Sequence, residues 1–589
     1  MIGMRLVTTM ALALSTAASA LAQQGGAPRE LAEQDVRREF GYVLMKDGVR
    51  LASVVWLPKA AGRYPIVFAY GPYNEDAAAF QRARRFLDAG YGFLGVNMRG
   101  TGCSEGIDTE GGGSRPATVG RDGADVVEWA ARQPWSSGSV GMVGTSYEGE
   151  LQFAVAANSP PHLKAIVPSG ISAADYRESY VPGGMVHLGG MASWSLEGQG
   201  SLADPAQEIR IAAGDTACAA IRAKHRPNEA FDELNRHPLE DAWWAERSGE
   251  AMAGQVTVPT LILMGWQDEW NLGAGTRMFQ LLGSPHKKII LQNGGHGVGA
   301  VYKIDLDATL RWLDRWVKGT RNGMDEEPPV TVHWEVRSAA ATPGWTTGYA
   351  SWPPPNTVWL TFYLTADGRL TREQPAADPT RNVRSYLYPS GTEIIGNNEQ
   401  FALAPYHLGS LSYRTDPTPE DMVILGLPNL RFFVSSEQTN TDFFVTLKDV
   451  DAAGNTLFLQ RDFLRASMRA VDEARSTPNE IIHSFSKNEE LVPGKIYEIK
   501  LSIPSIGAVV RKGHRLELSI LAPSPIPAPV MGGVPIGLPS LNKVYSGDEY
   551  PSTLRVPVIP GERAQADAPE CGSLPFQPCR HAVASRQTQ

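Results

Sequence analysis

Cysteine is scarce, with four in 589 residues. None of Cys103, Cys218, Cys571 and Cys579 stands in a C-x-x-C pair or at a Cys/His ligand spacing, which argues against a metal ribbon or dithiol redox site. After the N-terminus no apolar run is long enough to cross a bilayer. Repeats and heptads are missing, which excludes solenoids and coiled coils. The only biased tract is the proline-rich APSPIPAPV (522–530), read as a surface loop. Positive charge is in deficit, 54 Lys+Arg against 63 Asp+Glu, for a net charge of -9. That balance argues against nucleic acid or an anionic membrane as a main partner.

What remains is the composition of a globular protein, 42% hydrophobic and 20% charged, too long for a single core. The opening MIGMRLVTTMALALSTAASALAQQ holds one basic residue, Arg5, an apolar run, and Ala20-Leu21-Ala22. This is the pattern of a secretory signal peptide spanning 1–22 with cleavage after Ala22, and it predicts a soluble product that is secreted or periplasmic. Export permits disulfides. Cys571 and Cys579 close the short loop CGSLPFQPC and are expected to bridge, whereas Cys103 and Cys218 can pair or stay free.

From 40 to 322, short apolar runs alternate with helical patterns, the signature of a largely parallel α/β sheet. The strand candidates are 64–71, 91–100, 139–146, 163–170, 260–265 and 287–294. Helices are expected over 77–90, over 121–133 with Asp122 as N-cap, and over 305–319. Residues 41–58 read as an antiparallel hairpin turning at Asp47-Gly48. An Ala-, Gly-, Glu- and Arg-rich stretch, about 171–256, lacks clear strands and is expected to form a helical cap. From 328 to 565 short strand-like runs separated by turn residues predict an all-β sandwich.

Serine needs a base to become a nucleophile, and the base needs an acid to hold its tautomer. In α/β-hydrolases these follow in the order Ser, Asp, His, each on a turn after a strand. GMVGTSYEGE (141–150) places Ser146 between the apolar run VGMVG and a helical segment. Its second glycine, Gly149, comes one residue later than in G-x-S-x-G, and Glu148 stands in between. Eight of the eleven histidines lie after residue 225, so order alone selects none. His296, in NGGHG directly after the strand KKIILQ, has the position of the base. Asp268, in TLILMGWQDEW, has that of the acid, with Glu269 as its neighbour and rival. An acyl-transfer enzyme also needs two oxyanion donors. The backbone amide of Tyr147 is one, and the loop FAYGPYNED offers the Tyr73 phenol as the other.

Together these segments resemble the cocaine esterase / X-prolyl dipeptidyl peptidase family of serine hydrolases. The resemblance runs from about residue 40 nearly to the C-terminus, through MKDGVRLASVVWLP, GPYNED, NMRGTGCSEG, GMVGTSYEG, GWQDEW, WLDRWVKGTRNGMDEEPPV and RKGHRLELSI. It implies an α/β-hydrolase domain with a cap, followed by a jelly roll. It also implies Ser146 as nucleophile, His296 as base, Asp268 as acid, and an oxyanion hole made by Tyr73 and Tyr147. The family works through an acyl-enzyme on ester or amide substrates and needs no cofactor. It commonly has aspartate at the position of Asn97, two residues before Arg99, which raises the question of how Arg99 is held.

The α-amino acid ester hydrolases of the family hold the substrate ammonium with carboxylates two and three residues beyond the triad acid. Here Trp270 and Asn271 stand there. An exported carboxylesterase or acylase is therefore the first reading, with Trp194, Trp266 and Trp270 expected in an acyl pocket. The alternatives are an X-Pro dipeptidyl peptidase, a β-lactam-type acylase and, from another class, a non-catalytic binding protein using the sandwich.

Overall fold

The apolar runs of the first half pair into one ten-stranded sheet. A computed structural model of the chain describes residues 31–106, 117–187, 207–224, 234–297, 303–337, 342–376, 382–388, 409–521 and 539–582. The sheet contains β1 (Val36–Leu44), β2 (Arg50–Pro58), β3 (Tyr64–Gly71), β4 (Gly92–Asn97), β5 (Ser136–Thr145), β6 (Leu163–Ser169), β7 (Thr260–Gly265), β8 (Lys287–Gln292), β9 (Val330–Trp334) and β10 (Trp345–Tyr349). Its order is β1-β2-β4-β3-β5-β6-β7-β8-β9-β10, parallel from β4 to β9 with an antiparallel pair at one end and β10 at the other. β3, β4, β7 and β8 are apolar runs because helices cover both their faces.

On one face α1 (Phe80–Asp88) packs with the late helix that precedes β9. On the other face lie α2 (Ala117–Ala131) and α3 (Tyr147–Ala157). Asp122 falls inside α2 rather than at its start, and its carboxylate binds Arg99 instead of capping the helix. The predicted N-cap is thus corrected: the pattern of α2 runs further back, to Ala117.

The cap region contains a π-helical turn, Tyr176–Tyr180, then α4 (Glu208–Ala212), α5 (Thr216–Arg222), α6 (Ala242–Arg247) and α7 (Gly249–Ala253). It is fixed to the α/β domain by polar and covalent links. Arg210 is fully buried and donates to the carbonyls of Ser53 at 2.7 Å and Asp76 at 2.9 Å. Cys103 and Cys218 pair, joining α5 to the loop after β4. After β7 come α8 (Gly275–Leu281) and α9 (Lys303–Trp316), the late helix that packs with α1.

The β-rich region divides differently from its composition. VTVHWEV opens it in sequence, yet β9 pairs in parallel with β8, and β10 pairs with β9, so both extend the ten-stranded sheet. The sandwich strands begin at Val358–Leu364 and form a nine-stranded and a five-stranded sheet around a second core. Its last strand, Cys579–Arg580, lies past the expected end at 565 and is tied to Cys571 by the expected disulfide. The expected signal segment 1–22 and Trp194 lie outside the described residues.

Candidate functional site

β5 ends at Thr145, and Ser146 turns the chain into α3 with φ 64° and ψ -134°. A positive φ is costly for a residue with a side chain and persists where surrounding structure enforces it. Here Ser146 N–H donates to the Ser169 carbonyl at 2.9 Å, and Glu150 N–H returns to the Ser146 carbonyl at 2.9 Å. Gly149 lets this turn close against the end of β6: a Cβ there would stand 2.6 Å from the Ser169 carbonyl oxygen. The displaced glycine of the motif therefore sits where α3 and β6 meet.

Ser146 and His296 line one cavity of about 290 Å³ with Tyr73, Tyr147 and Trp270. His296 follows β8, and its Nδ1 lies 3.0 and 3.1 Å from the two carboxylate oxygens of Asp268. Asp268 also accepts the Trp270 N–H at 3.1 Å. Burial alone would lower the imidazole pKa, but the Asp268 charge and hydrogen bond, with the charge of Glu150, hold it above its ordinary value. Gly170, at φ +54°, passes so close to His296 that a Cβ would meet its carbonyl oxygen at 2.8 Å.

Glu269 turns the other way, into an ion pair of 2.5 Å with Arg461 of the sandwich strand Thr456–Arg465. Two further bonds cross the same interface. Gln460 donates to the Trp266 carbonyl at 2.6 Å, and Gln267 to the Leu459 carbonyl at 3.0 Å. The turn that carries Asp268 is therefore held from the second domain. Trp266, expected in the pocket, does not line it: its ring is 1% exposed and packs on Trp352 and Gly507. Trp270 does line the cavity, with its ring between those of His296 and His187, 5.6 and 5.5 Å away.

The loop that carries Tyr73 is held by Asn97. Its amide donates to the Tyr73 carbonyl at 2.8 Å, and its carbonyl oxygen accepts the Asp76 N–H at 2.8 Å. Arg99 is held elsewhere, by Asp122 at 2.6 and 2.8 Å and by Asp47 at 3.0 Å.

Several lining residues were not anticipated. Glu150 and Asp175 bring carboxylates to the cavity, with Tyr180, Ser179 and Asn271 beside them. Ser172 N–H donates to Glu150 at 2.9 Å, and its hydroxyl contacts the carboxylates of both Glu150 and Asp175. Glu150 was accessible from spacing, since it lies one helical turn beyond Ser146. Asp175 follows the end of a parallel strand, where α/β sites form.

Among known families, the model for X-Pro dipeptidyl-peptidase (S15 family) matches residues 47–298. The model for the X-Pro dipeptidyl-peptidase C-terminal non-catalytic domain matches residues 322–555. Cocaine esterase of Rhodococcus sp. (strain MB1 Bresler) is 27% identical over 88% of this chain and 97% of its own length. Xaa-Pro dipeptidyl-peptidase of Lacticaseibacillus casei is 24% identical over 76% of this chain and 60% of its own. The fold is shared with a CocE/NonD family hydrolase from Staphylococcus aureus, at a TM-score of 0.71 and 20% identity over 89% of this chain and 93% of that one. It is also shared with an α-amino acid ester hydrolase, at 0.71 and 18% over 92% and 100%. With both domains matched in order along one chain, the protein belongs to the cocaine esterase / X-Pro dipeptidyl-peptidase family and is a serine hydrolase.

Proposed function

We propose that the protein is an exported carboxylesterase or acylase in which Ser146 is the nucleophile, His296 the base and Asp268 the orienting acid. The observation that carries this reading is Ser146 on a strained strand-to-helix turn, facing the same cavity as an imidazole bonded to a buried carboxylate. His296 takes the Ser146 hydroxyl proton as Oγ adds to the substrate carbonyl. The Tyr147 amide and the Tyr73 hydroxyl stabilise the oxyanion, and the proton passes to the departing alcohol or amine. Water, deprotonated by His296, then releases the acid and restores Ser146.

A fluorophosphonate probe should label the protein, and Ser146→Ala should abolish labelling together with p-nitrophenyl ester hydrolysis. Labelling that survives in Ser146→Ala would overturn the assignment. Export is supported by the signal pattern of 1–22 and by two disulfides, which persist in oxidising compartments. A mature N-terminus at Gln23 in exported material tests it, and an unprocessed cytoplasmic chain would contradict it.

A second reading, cleavage beside a free substrate ammonium as in dipeptidyl peptidases, is favoured by the Glu150 and Asp175 carboxylates in the cavity wall. These stand on other elements than the acid turn, where Trp270 and Asn271 carry no charge. Comparing p-nitrophenyl esters with X-Pro-p-nitroanilides separates the two. Efficient anilide cleavage with poor ester turnover would select the second.

A further inference from the structure

Glu75 and Glu148 do not line the cavity, yet they meet in the interior beside it. Glu75 is fully buried, and Glu148 is 7% exposed. Both side chains converge on the end of β3: a Cβ on Gly71 would stand 2.7 Å from Glu148 Cγ and 3.3 Å from Glu75 Cδ. Glu75 lies two residues after Tyr73, and Glu148 directly follows Tyr147. Each acid is therefore attached to one of the two oxyanion donors.

A single cation serves both. Arg82 of α1 donates to Glu148 at 2.6 Å and reaches Glu75 at 3.5 Å. Among the described residues no N–H or O–H group comes closer to the Glu75 carboxyl than Arg82 does, at 3.5 Å. Two ionised carboxylates sharing one arginine would bury an uncompensated negative charge, and such pairs resolve by keeping one proton.

We propose that Glu75 is kept as the neutral acid and hydrogen-bonds its proton to Glu148, so that Glu75, Glu148 and Arg82 clamp the oxyanion loop to the nucleophile turn. Both glutamates are then positioning residues. The inference rests on Tyr73 and the Tyr147 amide being the oxyanion donors.

Electrostatics agree with the geometry. Burial, and then the Glu148 charge, push the Glu75 carboxyl well above the usual carboxylate range. Burial opposes ionisation of Glu148 too, but Arg82 and the hydrogen bond to Glu75 outweigh it and hold that carboxyl below its ordinary value. The other charges nearby are Arg85 on α1 and Asp76, whose carboxylate faces Gln207 and the Cys103 amide. β3 and β4 add none at Gly71 and Gly95.

The test is a double-mutant cycle on ester turnover in the full chain. Tyr73→Phe should lower kcat by about 100-fold, the usual cost of one oxyanion donor. Glu75→Gln, neutral and still a donor, should keep kcat within about twofold. Glu75→Met should lower kcat by a comparable factor at nearly unchanged KM, and adding Tyr73→Phe to it should cost less than about threefold, because coupled residues are non-additive. A Glu75→Gln enzyme as impaired as Glu75→Met, or a full Tyr73→Phe cost persisting in Glu75→Met, would overturn the clamp and leave the oxyanion assignment standing. Unchanged kcat in Tyr73→Phe alone would overturn the oxyanion assignment and the clamp with it. If Glu75→Met does not fold, infrared difference spectra of wild type against Glu75→Gln at pH 7 decide. A carboxylic-acid C=O band lost in the variant supports the proposal, and no such band overturns it.

Discussion

The side-chain amide of Asn97 donates to the backbone carbonyl of Tyr73 at 2.8 Å. An aspartate at this position could not make that bond, because an ionised carboxylate only accepts. Asparagine at 97 therefore gives the Tyr73 loop a bond that an aspartate could not, while Arg99 has its own carboxylates, Asp122 and Asp47.

Asn97→Asp should accordingly place a carboxylate against a carbonyl oxygen in a fully buried position. The cost is about 1–3 kcal/mol for a buried polar group left without its partner. We expect a lower urea midpoint and a reduced kcat, with Arg99→Lys used as control for the neighbouring pair. A variant with wild-type stability and kcat would show that the bond holds nothing.

The pH profile follows from His296. As the proposed base, His296 works only when neutral, and its pKa is raised, so kcat/KM should fall as pH drops through a value above the ordinary histidine pKa of about 6.5. For stability the sign is opposite. The charged His296–Asp268 pair contributes fully below the unfolded pKa, and the contribution is lost as pH rises through the folded one. Asp268→Asn should move the acid limb of the rate profile down and reduce kcat by about 10⁴-fold. A limb that stays in place would mean another group titrates.

Arg461 tests whether the second domain supports the acid turn. Arg461→Met leaves Glu269 without its 2.5 Å partner one residue from Asp268. We expect kcat to fall several-fold, by about 1 kcal/mol of transition-state stabilisation, with KM less affected. The bonds of Gln460 and Gln267 remain, so the fold should persist by circular dichroism. Unaltered kcat would show that the turn holds its geometry unaided.

The two disulfides should differ in weight. Cys103–Cys218 closes 115 residues and Cys571–Cys579 closes eight. Loop-closure entropy assigns about 4.7 kcal/mol to a loop near 100 residues and roughly half of that to the short one. Calorimetry on the paired Cys→Ser variants should show the larger loss for the cap bridge. The short loop has a second role to test, since it carries Phe576 onto Gly295, where a Cβ would stand 2.5 Å from the ring. Its removal should lower kcat through His296 more than it lowers stability.

The turns that carry Ser146, Asp268 and His296 were legible because each follows a short apolar strand, and strand, turn and helix are written in local periodicity and glycine placement. The family was legible for the same reason, as ordered local segments. Tertiary structure decided what periodicity cannot encode, namely which distant polar group each side chain meets. Asp268 and Glu269 are adjacent and alike, yet one bonds His296 and the other Arg461, 192 residues further along the chain. β9 and β10 read like the sandwich but join the catalytic sheet, because the edge of β8 offers unpaired backbone bonds. Cys103 meets Cys218 only once the cap has folded over the loop after β4. Glu148, a polar residue at the place of a glycine in the motif, acquires its partners from α1 and the loop after β3. The chain's local chemistry determined the elements and the Ser146 turn, and the low-dielectric interior, where an unmatched charge is costly, decided the partners.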